Sequence, residues 1–149
     1  MNSRDNVGTS NQPAPYPADG ANVPLHYRRD DANHLIRVTA TDPVTLTDMI
    51  TFLHELVATG AWQYGRIFDT RASTTPMPEE EATVIGYMQT LAAEYGPPGP
   101  LAVVAREPSM IARCEVHAWR MATVRSGSVF WDPDDAAEWL INARRSATD

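Results

Sequence analysis

Asp69 and Arg71 stand at the end of a short apolar run, in the stretch FDTRASTTPMPEEE that covers residues 68 to 81. In α/β proteins, ligands bind at the carboxyl ends of the strands, where a carboxylate and a guanidinium could hold a polar molecule. Side chains two apart on a strand face the same way, so an ion pair that fixes the loop explains the same spacing. We treat Asp69 and Arg71 as candidate binding-surface residues, with an enzyme site at this pair as an alternative.

Three hydroxyl residues follow this pair, and they could either accept a phosphate or begin a helix. Ser73, Thr74 and Thr75 come directly before Pro76, and three glutamates occupy positions 79 to 81. A Thr N-cap, a proline at the first helical position and acids in the first turn are typical of a helix start. The pattern predicts a strand-to-helix junction, with Thr75 as the cap of a helix that ends at Tyr95.

Cys114 and His117 form the other pair whose spacing could support chemistry. Residues three apart on a helix lie on one face, where a thiolate–imidazole pair or two metal ligands could meet. A buried cysteine beside a half-exposed histidine is the commoner arrangement. The stretch HELVA begins like a zinc-protease helix, but Ala58 stands where the second histidine would be. We predict no metal site and no cofactor, and keep an enzyme or metal protein using Cys114 and His117 as an alternative.

Four tryptophans are present, and three of them fall in the C-terminal third of the chain. Trp119 and Trp131 could line a pocket or form a binding surface, whereas aromatic residues at helical spacing usually fill a core. Both are candidate binding-surface residues. Trp139, beside Leu140, is expected to anchor the last helix.

Charge and cysteine content exclude several classes of function. The 149-residue chain has a net charge of -7, all 12 of its basic residues are arginine, and it contains one cysteine. An acidic chain without a basic cluster is unsuited to a phosphate backbone, so we expect no nucleic-acid partner. A single cysteine excludes an intramolecular disulfide and a thiolate zinc cage. No apolar run is long enough for a membrane span, and no secretion signal is evident, so we expect a cytoplasmic protein.

The chain divides into a tail and one domain. Residues 1–22 are rich in polar residues, glycine and proline, and they lack the apolar side chains that would offset the entropy cost of ordering, so we predict a flexible tail. Residues 23–146 have the length of a single domain.

Within this domain, short apolar runs alternate with helical patterns. PLHYRRD and HLIRVTAT flank the turn-forming DDAN and predict a hairpin. Thr45 and Asp48 predict a capping box at the first helix, and Gly60 its end. The runs YGRIFDT, PLAVVAR and SVFWD predict further strands, and Asp132 is expected to cap the last of four helices. The order predicts an α/β fold with a mainly parallel sheet and an antiparallel edge strand.

Several stretches together resemble the SpoIIAA-like (STAS) family over nearly all of this domain. They are VTLTDMITFLHEL, a strand ending in IFDTR, the apolar LAVVA, and above all the closing VFWDPDDAAEWL. The resemblance implies a single sheet with four helices gathered mostly on one face.

The same resemblance implies two modes of action. In the anti-sigma factor antagonists of this family, the loop after the central strand carries a phosphorylatable serine in an Asp-Ser-(Ser/Ala)-Gly motif. Asp69 would end that strand here, and Ser73, Thr74 or Thr75 would supply the hydroxyl, although TRA follows Asp69 and no glycine does. STAS/SEC14-type relatives are thought to hold lipids or other apolar molecules.

The sequence therefore predicts a non-enzymatic regulatory module that binds a regulatory protein partner through the 69–75 loop (residues 69–75). A carrier of a small apolar ligand or lipid is the second interpretation, and an enzyme or metal protein is the third. A homodimer is compatible with each of them.

Overall fold

Strands and helices alternate in the order that the sequence predicts. The computed structural model describes residues 24–122 and 124–148, and the side chains of 147 and 148 are not described. The predicted tail over 1–22 lies outside the described residues. The elements are β1 (Leu25–Asp30), β2 (Leu35–Ala40), α1 (Leu46–Ala58), β3 (Gly65–Asp69), α2 (Glu81–Tyr95), β4 (Leu101–Val104), α3 (Pro108–Arg120), β5 (Gly127–Phe130) and α4 (Pro133–Thr148).

The five strands form one sheet in the order β1-β2-β3-β4-β5. β1 pairs antiparallel with β2, and all other neighbours are parallel. This confirms the predicted α/β class, with its mainly parallel sheet and antiparallel edge strand. Each parallel strand is added on the same side of the one before it, so right-handed crossovers place α1, α2 and α3 on one face.

The sheet is covered unequally on its two faces. On the face of α1, α2 and α3, here called the α1–α3 face, a large apolar cluster includes Ile36, Phe52, Phe68, Met88 and Val103. On the other face α4 packs alone, and the smaller cluster there comprises Leu35, Ile67, Ala102, Val104, Ala136, Ala137 and Leu140. Three of the four helices therefore share one face, as predicted.

Local signals set the ends of α1 and α4. Asp48 N donates to Thr45 Oγ1 at 3.2 Å and Thr45 N donates to Asp48 Oδ2 at 2.9 Å, which is the predicted capping box. Gly60, with φ of 77°, follows the end of α1. Asp132 accepts from the backbone N–H of Asp134 at 2.8 Å, as expected for the cap of α4.

The start of α2 contradicts the prediction. The helix begins at Glu81, so residues 76 to 80 are not helical, and Thr75 is not its cap. Thr75 instead donates its hydroxyl to Asp42 Oδ1 at 3.0 Å. Thr75 and Met77 both precede prolines, and this position is biased away from helical backbone. The hydroxyls of Ser73, Thr74 and Thr75 therefore bind Asp42, which lies more than thirty positions earlier in the chain, and residues 76 to 80 remain a loop.

The longest described helix, α4, has 16 residues. Within the described ranges, no helix is both long and apolar enough to cross a membrane.

Candidate functional site

A cavity of about 730 Å³ lies between the sheet and the helices on the α1–α3 face. Sites for small molecules span roughly 300–1,000 Å³, so this volume is in their range. Side chains from β2, β3 and β4 form its floor, and side chains from the three helices form its walls. The lining is largely apolar and includes Val38, Phe52, Phe68, Met88, Val103 and Met110.

The cavity opens between α3 and the segment that leads into α2. Its exposed lining residues lie there, among them Glu79, Arg113, Val116 and Arg120. α2 packs against α1 and α3 packs against β5, whereas the backbones of α2 and α3 stay apart and are bridged by the side chain of Glu81, which pairs with His117 and Arg120. The gap between these two helices therefore gives solvent access to an apolar interior.

Arg66 places a positive charge inside this cavity. It is the second residue of β3, and side chains alternate along a strand, so Arg66 lies on the same face as Phe68 and Thr70, which also line the cavity. The residue is only 2% exposed. Its Nη2 donates to Trp62 O at 2.6 Å, and its guanidinium carbon lies 4.9 Å from the centre of the Trp62 ring. Its Nε and Nη1 are buried and have no hydrogen-bond partner among the described residues.

Arg125 brings a second guanidinium to the same end of the cavity. It lies between α3 and β5, and its Nε and Nη1 are likewise buried without a partner in the described part of the chain. Burial lowers the pKa of Arg125 to about 10. Burial also lowers the pKa of Arg66 well below its ordinary value, and the charge of Arg125 lowers it further. Arg66 and Arg125, here called the arginine pair, both line the cavity.

His117 and Glu81 form a polar contact in the wall of the cavity. His117 is 8% exposed, and its Nδ1 lies 2.6 Å from Glu81 Oε2. Arg120 also pairs with Glu81. Burial lowers the pKa of His117, so the neutral ring donates its Nδ1–H to the carboxylate. Burial opposes ionisation of Glu81, but hydrogen bonds from His117 and Arg120 outweigh it and lower the pKa of Glu81.

Cys114 lies one helical turn from His117 and also lines the cavity. The sequence predicts a half-exposed His117, which is wrong, because the structure buries both side chains. Burial raises the pKa of the Cys114 thiol to about 11, so the group is a thiol and not a thiolate at neutral pH. A thiol is a weak nucleophile, and His117 is hydrogen-bonded to Glu81. The Cys114 thiol is therefore not activated, whereas the hydrogen bond to Glu81 fixes the orientation of the His117 ring.

The hydroxyls of Ser73, Thr74 and Thr75 converge on Asp42. Ser73 and Thr74 donate to its carboxylate, as do the backbone N–H groups of Thr74 and Thr75 at 2.8 and 2.9 Å. The hydrogen bond from Ser73, followed by those from Thr75 and Thr74, holds the pKa of Asp42 well below its usual range. A phosphate on any of the three hydroxyls would be placed beside this carboxylate and repelled by it. Phosphorylation at these positions stays a prediction.

Asp69 and Arg71 form the ion pair that their spacing predicts. Arg71 Nη2 lies 2.7 Å from Asp69 Oδ2, and Arg71 N donates to Asp69 Oδ1 at 3.0 Å. Hydrogen bonds from Arg71 lower the pKa of Asp69 although burial opposes this. The two side chains therefore satisfy each other and fix the loop.

The tryptophans lie away from the cavity, except for Trp62 beneath Arg66. Trp119 and Trp131 are 77% and 62% exposed, and neither lines the cavity. Trp139 packs against Phe130 on the α4 face, with ring centres 5.5 Å apart, as expected for an anchor of the last helix. A role for Trp119 and Trp131 in binding a partner stays a prediction.

The arginine pair is the feature that sequence reasoning missed. A signal for Arg66 is present, since it is a charged residue among the four buried residues of the strand GRIFD. Arg125 carries no such signal, because it precedes its strand in a polar segment. Across residues 24–122 and 124–148, no group of three or more His, Cys, Asp or Glu side chains is arranged to hold a metal ion.

Neither a protein-family model nor a curated protein matches this chain. Among solved structures, it is similar to the crystal structure of an uncharacterized protein of the DUF3478 family, with a SpoIIAA-like fold, from Shewanella loihica PV-4. The two chains are 16% identical with a TM-score of 0.56, and the match covers 78% of this chain and 91% of the other. This similarity confirms the predicted SpoIIAA-like fold and shows the fold alone.

Proposed function

We propose that this protein is a binding module that holds a small, mainly apolar ligand in the cavity of the α1–α3 face. The observation that carries the proposal is an apolar space of about 730 Å³ that the surrounding side chains leave unfilled. Protein interiors are close-packed, and voids larger than a water molecule are few. An unfilled space of this size between the sheet and the helices is suited to an occupant.

The titratable groups near the cavity support binding rather than catalysis. The thiol of Cys114 is protonated at neutral pH, and Asp69 is neutralised by Arg71. Neither of the two pairs with catalytic spacing therefore presents an activated nucleophile. A ligand would be retained by burial of its apolar surface, which contributes roughly 25 cal/mol per Å² removed from water.

Native mass spectrometry of the protein purified without denaturation tests the proposal. We expect a retained small molecule, or binding of added dodecanol, in the wild type. Replacement of Cys114 by Phe fills part of the cavity and should abolish this binding. Glu115→Phe is the matched control, because Glu115 is exposed on the same helix and does not line the cavity. Equal binding by both variants would contradict a site in the cavity.

A second candidate function is recognition of a protein partner through the outer surface of α3. Trp119 is 77% exposed and Val116 is 46% exposed, and residues three apart lie side by side on a helix. Exposed aromatic side chains of this kind are enriched at protein interfaces. Val116 also lines the mouth of the cavity, so a partner bound here would sense whether the cavity is occupied.

Light scattering and affinity capture test this second candidate. A partner or second copy that binds through α3 should be lost with Trp119→Ser and retained with Arg144→Ser, which alters an exposed residue of α4. If both variants keep the same partner and the same mass in solution, the outer surface of α3 is not the interface.

A further inference from the structure

The unpartnered guanidinium groups identify one end of the cavity as chemically distinct from the rest. A buried charge is stable only when it is paired or well hydrogen-bonded, because its removal from water is costly. Arg66 makes one hydrogen bond to a backbone carbonyl and one ring contact, and two of its nitrogens have no partner in the described chain. No carboxylate of the described residues forms an ion pair with Arg66 or Arg125.

The pairing of the strands explains why Arg66 and Arg125 line the same cavity. Arg66 pairs with Leu101 across β3 and β4, and Leu101 pairs with Gly127 across β4 and β5. Leu101 N also donates to Ser126 O at 2.9 Å, which fixes the approach of the chain to β5. Adjacent strands lie about 4.8 Å apart, so the backbones at Arg66 and Gly127 are separated by roughly two strand spacings, and Arg125 lies two residues before Gly127. Both side chains line the same cavity, one from the start of β3 and the other from the segment that enters β5, and β4 lies between these two strands.

Apolar walls and buried cationic donors in one cavity are complementary to a molecule with two parts. We propose that the arginine pair receives the anionic head of an amphipathic organic ligand, whose apolar body fills the remainder of the cavity. Guanidinium groups bind carboxylates and phosphates through several directed N–H donors, and both heads fit this site. The inference rests on the proposed function and adds the class of ligand to it.

Support for Arg66 is built into the wall behind it. Trp62 Nε1 donates to Gly96 O at 2.8 Å, and Trp62 O also accepts from Gly99 N at 3.2 Å. The indole ring of Trp62, which lies against the guanidinium of Arg66, is therefore held by the segment of residues 96–99. A site whose cation is fixed in this way loses little side-chain entropy when an anion binds.

Isothermal titration calorimetry with three probes of equal chain length tests the inference. Dodecanoate and dodecyl phosphate carry an anionic head, and dodecanol does not. We expect at least one anionic probe to bind about tenfold more tightly than dodecanol, a difference of about 1.4 kcal/mol, because hydrogen bonds between charged groups are stronger than those of a neutral hydroxyl. The tighter of the two anionic probes identifies the head that the site prefers.

Variants then assign the effect to the arginine pair. Arg66→Met and Arg125→Met should each lower the affinity for the anionic probe about tenfold and leave that for dodecanol nearly unchanged. Arg37→Met is the matched control, since Arg37 is exposed and does not line the cavity. Circular dichroism of each variant verifies that it is folded. If one of the two arginine variants does not fold, the other still tests the site.

The outcomes separate this inference from the proposed function. If dodecanol binds as tightly as both anionic probes and the arginine variants change nothing, the cavity binds apolar ligands and the anion site is refuted. If none of the three probes binds to the folded wild type, the proposed function is refuted and the anion site with it.

Discussion

The 69–75 loop and the arginine pair lie near opposite ends of β3, and they differ in how their polar groups are satisfied. In the loop, Asp42 binds three hydroxyl residues and Asp69 binds Arg71, so every charge has a partner within the chain. At the other end, Arg66 and Arg125 each have two buried nitrogens without a hydrogen-bond partner in the described chain. Groups that satisfy one another stabilise the loop, whereas unsatisfied buried donors need an explanation, and an anionic ligand supplies it in our proposal.

The function of the chain should therefore be sought at the arginine pair and not in the 69–75 loop. The loop has the composition of a functional site, with a carboxylate, a guanidinium and three hydroxyls close in sequence. The structure uses these groups on one another. Arg66 has an unremarkable position in a short apolar strand, yet its surroundings leave it in need of an anion.

The largest expected effect concerns the support of the arginine pair. In Gly99→Ala, the added Cβ would lie 1.9 Å from Tyr64 O, a backbone atom that cannot turn away. We expect a loss of about 3 kcal/mol in the free energy of unfolding, near the upper end for overpacking. Urea denaturation measures it. Gly86→Ala is the control, because no atom lies within 4 Å of its added Cβ, and it should be neutral or slightly stabilising.

Replacement of Arg66 by Met tests the arginine pair directly. Without ligand, we expect the free energy of unfolding to rise by about 1–2 kcal/mol, because the variant removes an uncompensated buried charge. Trp62 O keeps its hydrogen bond from Gly99 N, so no acceptor is left unpaired. Urea denaturation of ligand-free protein gives the value, and Arg37→Met should leave it unchanged. A lower stability in Arg66→Met would mean that the guanidinium is already satisfied.

The matching change in the loop should have the opposite sign. Ser73 is 8% exposed, donates its hydroxyl to Asp42 and accepts from Thr75 N at 3.0 Å. We expect Ser73→Ala to lower the free energy of unfolding by about 1 kcal/mol, the usual net contribution of a hydrogen bond. Thermal unfolding with and without dodecanoate measures it. The loss should be the same in both conditions, since Ser73 is not part of the arginine pair.

The smallest expected effect is a pH dependence from His117. Its pKa in the folded protein is below the ordinary value of 6.5, so the unfolded chain binds a proton more readily. Stability should therefore be complete above pH 6.5 and fall as the pH decreases through the folded pKa. The difference in stability between pH 7 and pH 5.5 should be smaller in His117→Gln, which keeps a donor for Glu81. An unchanged difference would assign the pH dependence to other groups.

Much of the fold could be predicted because its signals are local. The capping box of Thr45 and Asp48, the turn between β1 and β2, and the acidic start of α4 each lie within a few residues. The alternation of strands and helices then restricts the sheet to a mainly parallel arrangement. The similarity to a SpoIIAA-like structure agrees with this reasoning.

The site could not be predicted in the same way, because it depends on distant contacts. Asp42 draws Thr75 away from the helix start, and these residues are 33 positions apart. Arg66 and Arg125 line one cavity because β3 and β5 lie on either side of β4, an order of strands that the sequence pattern does not specify. The missing partners of their nitrogens become visible only when all surrounding side chains are placed.

The rate at which Cys114 is alkylated would report on access to the cavity. Cys114 is the sole thiol of the chain, and it faces the interior behind the gap between α2 and α3. An alkylating reagent can reach it only when that gap admits the reagent, and an occupant would shield it. The rate of the increase in intact mass would therefore depend on how often α2 and α3 separate and on whether a ligand occupies the cavity. No engineered label is needed.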